Sequence, residues 1–284
     1  KFTKDRKISF LASAAIFLAT PLLYYGSYDV LNSHFASFFL SSLFWYILLS
    51  RKPNLKTSLF LGTTIGLATL IRLQEIFLLI PLTLHYFWQK NRRPFSNLVI
   101  AFSTVLLFSI PLILLWINLY GIPLPETYTA FGKSEWLKFG SLFHRTNGLF
   151  FRTPILLLSL LGIQTLFKKE RKIVWLFIVF FILQFLLITF QGGWEAPSYG
   201  GRMYMSTLPF FTILVAHNLQ IIMKKWNLKY AMFVIVFFSI LNFASIGSFV
   251  LFEKEVNSGQ KRGLEEHTQQ KIEGWIGKYL KMRI

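Results

Sequence analysis

The sequence predicts an all-α fold, a polytopic transmembrane bundle of about nine membrane-spanning helices. The first supporting observation is composition: 54% of the 284 residues are hydrophobic and 15% charged, against about 25% charged in a soluble domain. The second is the recurrence of long apolar runs from end to end, most without the polar stripe that a soluble helix presents to water. The third is that the charges between these runs alternate in density. Such runs must be helical, because a backbone facing lipid has to satisfy its hydrogen bonds within its own segment.

In chain order the spans fall at 8–25, 35–50, 57–71, 75–88, 95–118, 151–167, 173–190, 204–222 and 230–252. The division between the third and fourth rests on length. Joined, 57–88 would make one helix of about 32 residues, longer than a ~30 Å hydrocarbon layer needs at 1.5 Å per residue. The chain is therefore expected to break near Arg72. Gly62 and Gly66 form a GxxxG spacing, which suits close helix packing. Pro21, Pro81 and Pro111 lie inside spans.

Charge orients the bundle. The segments 1–7, 51–56, 89–93, 168–172 and 224–229 hold 17 Lys and Arg, whereas the opposite side, the tail excluded, holds six. Positive-inside bias places the first set in the cytoplasm, with the N-terminus of the chain, and the C-terminal tail outside. The organisation is then a transmembrane domain over 1–252, with a long external loop at 119–150, followed by an external amphipathic tail over 253–284. In that tail Ile272, Trp275, Ile276, Tyr279, Leu280 and Ile284 share one helical face suited to the membrane interface. The first Met is Met203 and the chain opens at Lys1, so it is read as a piece of a longer protein lacking its N-terminal part. The net charge of +18 is dispersed over alternate loops rather than gathered in one patch, which argues for topology and against nucleic acid as partner. With no Cys, thiolate metal sites, disulfides and Cys nucleophiles are excluded within it. No P-loop or HExxH motif occurs.

Ionisable residues in spans are costly, so their placement is informative. Here they gather at the external helix ends: Asp29 and His34, Arg72 and Glu75, His144 and Arg145, and Glu195 and Arg202. Arg suits phosphate, because its planar fork grips two oxygens and keeps its charge. Asp or Glu can deprotonate an acceptor hydroxyl or hold a divalent metal. Trp194 and Tyr199 offer flat faces to a sugar ring, and Gly192, Gly193, Gly200 and Gly201 allow tight turns and close approach. Each group also has a structural alternative. Arg72 can pair with Glu75, Asp29 and His34 can cap helices beside water, and Arg202 and Trp194 can anchor the chain at the interface.

Four segments carry a resemblance: SYDVLNSHFASFFLSSLFWY, GLATLIRLQEIFLLIPL, NGLFFRTPILLLSLLGI and GGWEAPSYGGRMYMSTLPFF. In that order they resemble segments of bacterial multi-spanning glycosyltransferases of the GT-C class, in the branch of protein O-mannosyltransferases and the lipid A aminoarabinose transferase. The last is similar to that family's W-G-G-x-S-[FY]-G-x-R-[YF] pattern, and the third to G-L-F-x-x-[TS]-P-L-L-L; the likeness covers about residues 20–215. The resemblance implies an inverting transfer of a sugar from a polyprenyl-phosphate donor to a glycan, lipid or protein acceptor, outside the plasma (inner) membrane. It implies a base in a first external loop that precedes this stretch, with Asp29 in a later one. Arg202, assisted by Arg72 or Arg145, would neutralise the donor phosphate, Trp194 and Tyr199 would shape the sugar pocket, and His34 and Glu75 would line it. Glu195-Ala196-Pro197 departs from the pattern and leaves the role of Glu195 open. Two other readings stay in view: an O-antigen polymerase or ligase, which also uses external Arg residues, and a lipid or solute transporter, which predicts discontinuous helices carrying ionisable groups.

Overall fold

Where an apolar chain must interrupt a helix, something has to bond the freed carbonyls, and two such interruptions organise this bundle. The computed structural model describes residues 5–89, 94–123, 139–145, 147–191, 194 and 198–253. Among them there are helices and turns and no strand. The elements are α1 (Arg6–Leu18), α2 (Leu22–Ser27), α3 (Ser33–Ser50), α4 (Leu55–Ile71), a 3₁₀ segment Leu73–Leu78, α5 (Leu79–Trp88) and α6 (Pro94–Tyr120). There follow the short α7 (Gly140–Phe143), α8 (Leu149–Arg152) and α9 (Pro154–Ser159), then α10 (Ile163–Gln191), a 3₁₀ segment Arg202–Thr207, α11 (Leu208–Lys225) and α12 (Leu228–Ser248).

The chain is a helical membrane protein. Among the described residues five stretches are long and apolar enough to cross a bilayer: Ser33–Ser50, Pro94–Tyr120, Pro154–Gln191, Arg202–Lys225 and Leu228–Leu251. The remaining expected spans are shorter or broken. Leu55–Ile71 is a 17-residue apolar helix. The span expected at 8–25 is divided between α1 and α2, because Pro21 has no N–H to continue the ladder. Its freed carbonyls are taken by Asn242 of α12, whose Nδ2 donates to the oxygens of Leu18 (2.8 Å) and Thr20 (3.0 Å).

The expected break near Arg72 is present. Arg72 is extended (φ −150°, ψ 117°), and α4 gives way there to the 3₁₀ turn and α5. The expected loop at 168–172 is instead a kink inside a continuing helix: α10 runs through it with a single non-helical residue, Glu170 (φ −133°, ψ 47°). One distorted residue suffices because the charged side chains there are all exposed and need no loop to reach water.

Asp5, Asn54 and Asn227 cap α1, α4 and α12, accepting from the backbone N–H of Lys7, Thr57 and Lys229. The GxxxG expectation also holds. A Cβ on Gly62 would stand 2.7 Å from the Ala101 carbonyl oxygen, and one on Gly66 would stand 2.7 Å from Phe108 Cβ. These two absences let α4 lie directly on α6. The tail over 253–284 and half of the 119–150 loop lie outside the described residues or carry no described side chain.

Candidate functional site

The break at Arg72 turns a run of polar side chains inward. Arg72 Nη1 is 2.6 Å from His34 Nδ1. A guanidinium can only donate, so Nδ1 accepts and the His34 proton sits on Nε2. Arg72 Nη2 donates to Gln74 Oε1 (2.7 Å) and approaches Met203 Sδ (3.0 Å). Gln74 in turn donates to Gln184 Oε1 (2.7 Å) and to the Met203 carbonyl (3.0 Å), while Gln184 returns a bond to the Gln74 carbonyl (3.2 Å). The carbonyl released by the break is thus bonded by α10, and the Arg72 fork is held from two sides.

Beside this network lies a cavity of about 330 Å³, bordered by Ser33, His34, Arg72, Gln74, Gln191 and Met203, among others. Arg202 stands outside that lining. Its guanidinium stands close enough to His34 and Tyr25 to act on both electrostatically. Arg202 Nε is buried without a hydrogen-bond partner among the described residues. Two cations therefore act on one imidazole, and the Glu75 carboxyl behind Arg72 is close enough to act on Arg72 in turn.

The backbone before Arg202 explains how it arrives there. Gly200 takes a left-handed conformation (φ 60°), and a Cβ there would press on Pro21 Cγ at 2.8 Å. At Gly201 a Cβ would meet Leu149 Cα at 2.6 Å. The pair wedges the turn between the α1–α2 break and α8, and the Arg202 N–H closes it onto the Gly200 carbonyl at 2.8 Å.

The other expected site residues go to different places. Glu75 does not line the cavity. It is fully buried, with Oε1 accepting from Ser37 Oγ at 2.6 Å and with Ser206 and Gln74 also beside it, because the 3₁₀ turn carries it behind Arg72. Tyr199 is also fully buried. Its hydroxyl donates to Asn242 Oδ1 (2.8 Å), its carbonyl accepts from Tyr25 (3.1 Å), and the Arg152 guanidinium lies 5.8 Å from its ring. It is a packing post that fixes the turn, and no face is left for a sugar. Trp194 is likewise 7% exposed, covered by Gly140 and set edge-on to His144 at 5.7 Å. Arg145 is exposed on the turn after α7. Asp29 sits half-buried in the turn between α2 and α3, near Tyr24 and outside the cavity lining. Glu195, with Gly192 and Gly193, lies outside the described residues.

Of the expected set, then, His34, Arg72 and Arg202 come together. Sequence reasoning missed Gln74, Gln184, Ser37, Tyr25 and Met203. Uncharged polar residues inside apolar runs were the available signal, and Gln184 stood in one. Among the described residues no three His, Asp or Glu side chains gather as a metal site. No family model, no curated protein and no solved structure matches the chain.

Proposed function

We propose that the chain is a membrane glycosyltransferase that moves a sugar from a polyprenyl-phosphate donor to an acceptor at the extracytoplasmic face of the plasma (inner) membrane. The observation that carries this reading is the contact of Arg72 with His34 at the polar cavity, with Arg202 near enough to act on the same imidazole electrostatically. The nine-span topology and the charge bias of the loops belong to the same reading and orient the cavity outward.

In the transfer, an acceptor oxygen bonds to the anomeric carbon as the bond from that carbon to the phosphate oxygen breaks. The electron pair leaves with the phosphate, and the acceptor proton passes to a carboxylate base. Charge therefore grows on the phosphate, where two fixed guanidinium groups stabilise it without reorganising. His34 Nε2–H supplies a neutral donor to the same group. Arg202→Ala should lower turnover by about 10²–10³-fold, as removal of a preorganised donor does elsewhere. The test is transfer from a lipid-linked sugar by purified protein, with insertion and yield unchanged. Full activity in Arg202→Ala would remove that residue from the site.

One observation favours a second reading. A discontinuous helix bearing Arg72 and the buried Glu75 is what a lipid or solute transporter also uses. Uptake into proteoliposomes with no covalent product would select it. An O-antigen polymerase or ligase would share the arginine chemistry and differ in its substrate, a diphosphate-linked glycan.

A further inference from the structure

Helix α12 presents most of its apolar side chains outward, yet one polar residue in it is turned in. Asn242 is 2% exposed, while its neighbours Leu241 and Phe243 are exposed. An amide is costly to bury unless its bonds are made, and here they are made to two other segments. Nδ2 donates to the Leu18 and Thr20 carbonyls at the α1–α2 break, and Oδ1 accepts from the Tyr199 hydroxyl at 2.8 Å.

Those two segments also hold each other. The Tyr25 hydroxyl donates to the Tyr199 carbonyl (3.1 Å), and the Tyr25 ring lies 5.4 Å from the His34 ring. Tyr199 is therefore gripped at both ends, by Asn242 at its hydroxyl and by Tyr25 at its backbone. About one turn further along α12, Ser245 accepts from Arg152 Nη1 (2.9 Å), and that guanidinium lies 5.8 Å from the Tyr199 ring. Arg202 follows three residues after Tyr199, with its N–H bonded to the Gly200 carbonyl (2.8 Å). The turn between them has no slack, since Gly200 lies against Pro21 and Gly201 against Leu149. A displacement of Tyr199 is passed on to Arg202 rather than absorbed, and a charged group acts on its ligand only where it is held in place.

We propose that Asn242 is a positioning residue for Arg202. Through the Tyr199 hydroxyl it fixes the Gly200–Gly201 turn, and so sets where the Arg202 guanidinium stands relative to His34. It acts through Tyr199 and not on the ligand. The proposal rests on the phosphate-binding role given to Arg202 above.

The test measures binding of a short prenyl phosphate to the purified chain in nanodiscs, with thermal unfolding alongside. Tyr199→Phe deletes the hydroxyl and keeps the ring and the carbonyl bond to Tyr25, so the fold is retained; affinity should fall about tenfold. Asn242→Leu, which also strips the Leu18 and Thr20 carbonyls, should lose at least as much. Tyr86→Phe is the control, because it removes a comparable buried bond, between the Tyr86 and Ser58 hydroxyls (2.9 Å), outside the cavity lining. It should lower the unfolding temperature as Tyr199→Phe does and leave affinity at the wild-type level. The deciding arm is the double variant. Arg202→Ala should itself weaken binding, and adding Tyr199→Phe should then change nothing, since the group to be misplaced is gone. Wild-type affinity in Tyr199→Phe, an equal affinity loss in Tyr86→Phe, or a tenfold loss that persists without Arg202 overturns the positioning role and leaves the phosphate seat standing. If wild type does not bind the phosphate, or Arg202→Ala binds it as well as wild type does, the role of Arg202 fails first and takes this one with it.

Discussion

Two interruptions in the helical path, at Arg72 and at Glu170, look alike in the sequence, since each places charge inside an otherwise apolar stretch. They resolve in opposite ways. At Arg72 the helix stops, and Gln74 and Glu75 turn into the interior where side chains from α3 and α10 meet them. At Glu170 the helix bends at one residue and keeps going, with Lys168, Lys169, Glu170, Arg171 and Lys172 all exposed. The difference is in the partners. A break whose polar groups face other polar groups can be buried, and a half-buried cation positioned beside a cavity can do chemistry. Where the charges face outward, a break marks topology and nothing more.

The contrast can be broken by mutation, and the largest expected effect is at Arg72. Arg72→Ala strips His34 and Gln74 of charge-assisted bonds and should cost about 3 kcal/mol of stability as well as activity. Neutralising Lys169 or Arg171 singly to Ala should stay within about 0.5 kcal/mol. Thermal unfolding in a fixed detergent measures both; equal losses at the two places would erase the distinction.

A smaller effect sharpens the point. Ser37→Ala withdraws the donor at 2.6 Å from the buried Glu75 carboxylate, and an unsatisfied buried acceptor costs about 1–3 kcal/mol. Ser37→Ala combined with Glu75→Leu should recover part of that loss, since removing both partners leaves nothing unpaired. If the double variant loses as much as the sum of the single changes, the two side chains are not a unit.

The smallest effect is local. Gly66→Ala puts a methyl 2.7 Å from Phe108 Cβ, an atom fixed to the α6 backbone, so something has to shift, at a cost of at least about 1 kcal/mol. The same change at Gly62 meets the backbone of Ala101, which yields less easily, and should cost more. Stabilities in the reverse order would show that α4 and α6 separate rather than adjust.

How much of this was legible in the sequence follows from the kind of signal each feature leaves. The break at Arg72 could be read because bilayer thickness limits helix length, whereas the five consecutive charges at 168–172 were read as a loop between two spans and are a bend in one continuing helix. Gly62 and Gly66 announced a close approach by their spacing alone. His34, Arg72 and Arg202 were expected in one set because charge near a helix end is costly. Gln74, Gln184 and Ser37 were not, because a neutral side chain in an apolar run carries no cost that names its partner, and here the partners lie up to 129 residues away. Trp194 and Tyr199 were assigned to a sugar pocket because an aromatic beside glycine reads the same whether it faces a ligand or packs into the core. Only the hydroxyl bond from Tyr199 to Asn242 and the Gly140 backbone against Trp194 separate the two cases.

The central claim is that the Arg72 cluster opens to the outside while the Glu170 bend lies on the cytoplasmic side. The chain has no Cys, so single substitutions report cleanly. Ser33→Cys, at the polar cavity, and Lys169→Cys, at the bend, should be labelled by an impermeant maleimide from opposite faces of sealed vesicles, with Ser33→Cys reached from the extracytoplasmic side. Labelling of both positions from one face would contradict the account.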